Sequence, residues 1–175
     1  MTDLRYPIGQ PSLRDGLTDQ ERRKLIDEIA AAPGKLRLAV AGLSSEQLDT
    51  PYRPGGWTVR QVVHHLADSH LNSLVRFRLA LTESEPTIKP YDQARWAELD
   101  DARTAPLDLS LALLEALHGR WALLLRSLGP ADFDRTFRHP ELGLMTLDKN
   151  LQLYAWHGRH HIAHITSLRA RMGWK

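Results

Sequence analysis

Apolar side chains recur at helical spacing along most of the chain. The first such segment opens with Thr18-Asp-Gln-Glu21, a capping-box pattern in which a threonine and a glutamate satisfy free backbone N–H groups. Leu25, Ile26 and Ile29 continue its apolar face. We predict that Pro33-Gly34 interrupts this helix, because proline lacks a backbone N–H, and that the helix resumes from Lys35 to Leu43.

Three further segments have the same periodicity and clear ends. Thr58-Val-Arg-Gln61 is a second capping box and begins a long helix that the Pro86 and Pro90 region ends. A leucine-rich helix is predicted over residues 107–128, before Gly129-Pro130. The last helix is predicted from its cap at Thr146 to about Met172, with Gly173 as the stop.

The remaining segments predict connections. Residues 87–106 are punctuated by prolines, with one short helix predicted at 92–99, and form a candidate loop across the mouth of a bundle. No alternating strand pattern and no internal repeat is found. The pattern therefore predicts an all-α four-helix bundle that occupies residues 1–175 as a single domain, with facing side chains able to form a site between the helices.

Composition narrows the range of functions. The 42% hydrophobic and 25% charged content is typical of a globular domain, and no apolar run is long enough to cross a membrane. The formal charge is only +2 and basic residues alternate with acidic ones, which argues against nucleic acid as a partner. The absence of cysteine and of an apolar leader favours a cytoplasmic protein.

Nine histidines are distributed unevenly and indicate metal chemistry. On the last predicted helix, His157 and His161 are one turn apart at the margin of the apolar arc, whereas His160 and His164 lie further round. Neutral imidazoles at this spacing suit zinc, nickel, copper or iron. Such histidines are also common as packed or solvated residues, so spacing alone leaves both interpretations open.

The second long helix carries two adjacent histidines, His64 and His65, and periodicity does not choose between them. Residue 158 is Gly, so the glutamate base of a His-Glu-x-x-His metalloprotease motif is absent between the paired histidines. Candidates for a proton-transfer group elsewhere in the chain are Asp68, Glu141 and His160.

Three stretches resemble the YfiT group of the DinB-like superfamily: Tyr6-Pro-Ile-Gly9, residues 51–70, and residues 154–165. The resemblance covers nearly the whole chain. It implies a four-helix bundle with one divalent metal ion, zinc or nickel, held by three histidines. The pattern of a Trp followed eight residues later by His matches Trp57 and His65, and the His-x-x-x-His pattern matches His157 and His161. The resemblance thus implies the ligands His65, His157 and His161.

The same resemblance implies two activities, metal-dependent hydrolysis and thiol S-transfer, including transfer of bacillithiol. Because no certain base is found, we favour a thiol S-transferase that acts on a small electrophile, with a metal-dependent hydrolase as the alternative. Arg76 lies about three turns along the His65 face and is a candidate to pair with carboxylates of an acidic thiol cofactor, or a solvated surface arginine. A metal-binding or sensor bundle without catalysis is the third hypothesis. The resemblance also implies a homodimer.

Overall fold

The computed structural model describes residues 3–174, and four long helices dominate it. Helix α1 spans Asp19–Val40, α3 spans Val59–Thr82, α6 spans Leu107–Ser127 and α8 spans Leu147–Met172. Four short helices lie in the connections: α2 (Ser45–Leu48), α4 (Gln93–Ala97), α5 (Asp100–Thr104) and α7 (Pro130–Phe133). The predicted four-helix bundle is confirmed. Within residues 3–174, no helix is both long and apolar enough to cross a membrane.

The helix starts follow the caps predicted from the sequence. Thr18 and Thr58 each complete a capping box, and the Thr146 hydroxyl accepts a hydrogen bond from the Lys149 N–H at 3.1 Å. Gly173 ends α8 in the left-handed conformation (φ 66°), which glycine adopts without the steric cost of a Cβ.

The order of the helices around the bundle differs from their order in the chain. α1 packs against α6 and α8, and α3 packs against the same two helices. α1 and α3 therefore occupy opposite corners. This arrangement brings α3 and α8 side by side, so residues about 90 positions apart in sequence meet at one interface.

The prediction that Pro33-Gly34 interrupts the first helix is wrong, because α1 continues through both residues. Ile29 and Leu36, one turn to either side, are each 1% exposed, so their packing outweighs the cost of an interior proline, about 3 kcal/mol. The Ile29 carbonyl loses its helical N–H partner at Pro33 and accepts a hydrogen bond from His118 Nδ1 instead, at 2.6 Å.

A short antiparallel hairpin corrects the expectation that no strand is present. β1 (Thr136–His139) pairs with β2 (Gly143–Thr146), and Phe137 faces Met145 in the register. Both of these side chains are buried. Four residues per strand are too few for alternation to stand out in the sequence. The predicted connection over residues 87–106 is anchored near its start and at its middle: Ile88 N–H donates to the Arg138 carbonyl at 3.0 Å, and Gln61 Nε2 donates to the Ala97 carbonyl at 2.7 Å.

A polar layer divides the bundle into two apolar clusters. One cluster is built around Phe77, Trp121 and Leu151, and the other around Val62, Val63 and Ile165. The layer between them is formed mainly by imidazole rings from three helices. Its histidines are His65 and His70 of α3, His118 of α6, and His157, His160, His161 and His164 of α8.

Candidate metal centre

Three imidazoles meet in the polar layer where α3 faces α8. His65 comes from α3, and His157 and His161 come from successive turns of α8. One ring nitrogen from each lies within 4.8 Å of the other two, and His65 Nε2 is 3.2 Å from His157 Nε2. With Zn–N bonds of about 2.0–2.1 Å, two ligands of a tetrahedral ion lie roughly 3.3 Å apart. The donor set and its spacing therefore fit a divalent ion, although metal binding by these three residues stays a prediction.

The surroundings favour the neutral form of all three rings. Burial lowers the pKa of His65 to about 4, and burial followed by the neighbouring imidazoles lowers the pKa values of His157 and His161 well below the ordinary value. The indole of Trp57 lies over the cluster, with its centroid 4.6 Å from that of His65 and 6.4 Å from that of His161. Neutral rings leave nitrogen lone pairs free to bind a cation at neutral pH.

Within the trio of His65, His157 and His161, the two rings of α8 each have a partner on Nδ1. His157 Nδ1 is 3.1 Å from His70 Nε2, and His161 Nδ1 is 3.3 Å from His164 Nδ1. Such contacts orient a ligating imidazole and strengthen it as a donor. His70 and His118 were not singled out from the sequence. No sequence signal identifies them, because their partners lie on other helices.

The structure separates the two adjacent histidines of α3. His64 lies outside the trio, with Nδ1 at 2.7 Å from Ser110 Oγ and Nε2 at 3.2 Å from the Ala105 carbonyl oxygen. His65 faces α8. The geometry thus places His65, and not His64, beside the histidine pair of α8, and ligation of a metal by His65 stays a prediction.

His160 and His164 are more enclosed than their position away from the apolar arc suggested. Both are buried, because residues between Arg5 and Gly9 contact this part of α8. The His164 Nε2 hydrogen bonds to the Arg5 carbonyl at 3.0 Å, and Tyr6 lies 5.8 Å from His160 between ring centroids. His160, His161 and His164 also bring ring nitrogens within 4.8 Å of one another.

Two cavities flank the trio and share His157 and Gln93 in their walls. The first has a volume of about 450 Å³ and is lined by all three trio histidines together with Arg5, Arg53 and aromatic rings. The second has a volume of about 660 Å³ and is lined by Arg76 among other polar groups. Its remaining polar and aromatic lining includes Ser69, Tyr91, Asp92, His139, Glu141 and Tyr154.

Arg76 is a buried cation in the wall of the second cavity. The side chain belongs to a residue that is only 8% exposed, and its hydrogen bond in the structure is a long one, 3.4 Å from Nη1 to Tyr154 Oη. Among residues 3–174, no carboxylate pairs with it at ion-pair distance. The interpretation of Arg76 as a solvated surface residue is therefore excluded. Its binding of a cofactor stays a prediction.

The three candidate proton-transfer groups occupy different places. Glu141 lines the Arg76 cavity and His160 lines the first cavity, whereas Asp68 is outside the residues that line either one. Burial, followed by the charge of Asp101, raises the pKa of Asp68 to about 6. Glu141 is thus the carboxylate among the three that shares a cavity with a trio histidine.

Known proteins resemble this chain over almost its full length. It is 57% identical over 174 residues to a protein of Bacillus mycoides (strain KBAB4), covering 99% of this chain and 100% of the relative. It is 56% identical over 174 residues to a protein of Bacillus cereus (strain 03BB102), with the same coverage. Both relatives are named "Putative metal-dependent hydrolase".

Solved structures resemble this chain as well. YfiT from Bacillus subtilis, described as "a probable metal-dependent hydrolase with an unusual four-helix bundle topology", matches with a TM-score of 0.97 and 54% identity, covering 98% of this chain and 99% of YfiT. The four-helix bundle protein TT2238 matches with a TM-score of 0.56 and 23% identity, over 85% of this chain and 98% of that protein, which shows the shared fold alone. The family model for the DinB superfamily matches residues 28–165. The chain therefore belongs to the DinB superfamily, and within it to the YfiT group.

Proposed function

We propose that this chain is a metal-dependent enzyme that holds one divalent ion, zinc or nickel, on His65, His157 and His161. Its relatives are described as metal-dependent hydrolases, and the distances between the ring nitrogens of the three histidines fit such an ion. When bound, an ion with three neutral ligands keeps its full charge and lowers the pKa of a coordinated thiol or water. The chain's own residues then decide which molecule is bound beside the ion.

We further propose that this molecule is a low-molecular-weight acidic thiol such as bacillithiol, which the enzyme transfers to a small electrophile. The observation that carries the proposal is Arg76, a buried guanidinium in a cavity that also reaches His157, with no carboxylate of residues 3–174 at ion-pair distance. A guanidinium binds carboxylates with two parallel hydrogen bonds, so a thiol that carries carboxylates complements this wall. Tyr154 Oη, within 3.4 Å of Arg76, adds a polar group beside the guanidinium.

The overall transfer requires no nucleophile from the protein. The thiol sulfur forms a new bond to the electrophilic carbon, the leaving group departs with its electron pair, and the thiol proton passes to solvent. The chain has no cysteine, so no protein thiol competes with this reaction. The 450 Å³ cavity on the other side of the trio, with its aromatic walls, is the proposed place for the electrophile.

Hydrolysis is the second candidate function, and two observations favour it. The relatives are named as hydrolases, and Glu141 supplies a carboxylate in the cavity that His157 lines. The experiment that separates the two functions is turnover of activated electrophiles and esters by zinc-loaded protein, with and without bacillithiol. Turnover that requires the thiol and yields a thioether supports transfer. Equal turnover without thiol, abolished in Glu141→Gln, supports hydrolysis.

Two wider expectations belong to the same proposal. One ion per chain without turnover of any electrophile or ester would favour the binding or sensor hypothesis. We also propose a homodimer, which light scattering of the purified protein tests directly.

A further inference from the structure

We infer that two chains of histidine hydrogen bonds, each beginning at a backbone carbonyl, fix the tautomers of His157 and His161 so that Nε2 of both rings presents a lone pair to the trio. His70, His118 and His164 are then positioning residues for the ligands. The inference rests on the proposed metal site, which it deepens by assigning the residues that prepare two of its three ligands.

The first chain begins at a carbonyl that proline releases. Pro33 has no N–H, so the Ile29 carbonyl has no partner at the fourth residue along α1. His118 Nδ1 lies 2.6 Å from that oxygen. A carbonyl only accepts, so Nδ1 carries the ring proton and donates it. In the neutral ring His118 Nε2 is then an acceptor.

The same direction of hydrogen-bond donation continues from His118 through His70 to the proposed ligand His157. His70 Nδ1 lies 2.9 Å from His118 Nε2 and donates to it, which leaves His70 Nε2 with a lone pair. His157 Nδ1 lies 3.1 Å from His70 Nε2 and donates in turn. The lone pair of His157 is therefore on Nε2, the atom that lies 3.2 Å from His65 Nε2.

The second chain begins at the N-terminal segment. His164 Nε2 donates to the Arg5 carbonyl at 3.0 Å, so His164 Nδ1 is an acceptor. His161 Nδ1 lies 3.3 Å away and donates to it, and its lone pair is left on Nε2. Both nitrogens of His164 are used in this chain. The cluster of His160, His161 and His164 is consequently a support for the trio and not a second metal site.

These supports have a defined energetic role. Each ring has two neutral tautomers, and only the one with a proton on Nδ1 leaves Nε2 free to bind the ion. A chain that already holds this tautomer in the metal-free protein avoids a proton rearrangement on binding. Removing such outer partners from histidine ligands typically weakens metal affinity by about 10- to 100-fold.

The tautomers are measured directly in metal-free protein labelled with ¹⁵N-histidine, from long-range ¹H–¹⁵N correlations of each ring. We expect Nδ1–H in His118, His70, His157 and His161, and Nε2–H in His164. Nε2–H in His157 or His161 overturns the inference. This measurement needs no ion and no activity, so it decides the inference even if the wild-type protein takes up no zinc, a result that would refute the proposed metal-dependent function instead.

A matched pair of variants at His118 tests the coupling to the ligand. His118→Gln keeps a side-chain oxygen that accepts from His70, whereas His118→Phe keeps the ring volume without any nitrogen. In competition with a chelator, we expect His118→Phe to bind Zn²⁺ about 10- to 100-fold more weakly and His118→Gln to remain within about threefold of wild type. His157 should show mixed tautomers in the Phe variant only. Equal loss in the two variants, with unchanged His157 tautomer, assigns His118 to packing and overturns the coupling.

Discussion

Replacing Arg76 with methionine separates what this side chain does for folding from what it does for binding. The residue is 8% exposed, and its hydrogen bond to Tyr154 Oη is long, at 3.4 Å. Burying a charge costs several kcal/mol unless a partner compensates, and the neighbouring cavity relieves part of that cost by admitting water. Methionine is apolar and of similar length. We therefore expect Arg76→Met to raise the free energy of unfolding by about 1–2 kcal/mol.

The same change should weaken binding of an acidic thiol. Charge-assisted hydrogen bonds contribute about 1.5–3 kcal/mol each, which corresponds to an affinity loss of about 10- to 150-fold. Stability is measured by urea unfolding of metal-free protein, followed by far-ultraviolet circular dichroism. Thiol affinity is measured by the dependence of turnover on bacillithiol concentration.

Arg60 provides the matched control, because it is similarly buried but paired with a carboxylate. Its Nε is 2.7 Å from Asp49 Oδ1 and its Nη1 is 3.0 Å from the Ala105 carbonyl oxygen. Arg60→Met should lower the free energy of unfolding by about 1 kcal/mol, since it removes two hydrogen bonds, while the half-exposed Asp49 is rehydrated and the Ala105 carbonyl keeps His64 Nε2 at 3.2 Å. A loss of stability in Arg76→Met as large as that in Arg60→Met, with unchanged thiol affinity, would refute the argument that Arg76 is retained for binding.

Three further predictions concern stability. Asp148 forms two hydrogen bonds of 2.8 and 2.9 Å with Arg22 in a buried ion pair, so Asp148→Ala should cost about 3–5 kcal/mol in urea unfolding, and a cost below about 1 kcal/mol would contradict it. The pKa of Asp68 is raised to about 6, so ionisation of this carboxyl lowers the stability of the native state as the pH rises from about 4 to 6. At pH 7, Asp68→Asn should therefore be more stable than wild type, by no more than about 1 kcal/mol after solvent screening. The variant should lose that advantage below pH about 4. An advantage that grows at low pH would reverse the assigned sign. Chelation should lower the melting temperature, by the equivalent of about 2.7 kcal/mol for an ion at 100 times its Kd, and leave the helical circular dichroism intact; loss of the helical signal would instead make the ion structural.

Short-range sequence signals predicted where the helices begin, but they did not predict the features of the fold that depend on tertiary packing. The threonine caps at Thr18, Thr58 and Thr146 act within one turn, so the sequence alone locates them. Pro33 is also a short-range signal, but the helix break that it predicted is wrong. The helix continues because the turns beside Pro33 are buried and His118 donates a hydrogen bond to the Ile29 carbonyl, and both features depend on other helices. The hairpin was missed for the related reason that its four-residue strands gain their stability from paired, buried side chains.

The sequence likewise predicted some residues of the candidate site and not others. The spacing of His157 and His161 on one helix predicted that they act as a pair, because both lie on the same face. Selecting His65 over His64 needed the family resemblance or the structure, since only the packing of α3 against α8 and α6 determines which ring faces which neighbour. His70 and His118 depend wholly on contacts between helices.

Metal content of the purified, untagged protein tests the central claim most directly. Elemental analysis after saturation with zinc and gel filtration should give close to one ion per chain for wild type. We expect stoichiometric metal binding to be lost in each of the variants His65→Ala, His157→Ala and His161→Ala, because the two remaining histidines are too few protein ligands to hold the ion tightly. His64→Ala is the control, since its ring bonds to Ser110 and Ala105, and it should keep the ion. Equal metal content in all four variants, or loss of the ion only in His64→Ala, would contradict the assignment of the site.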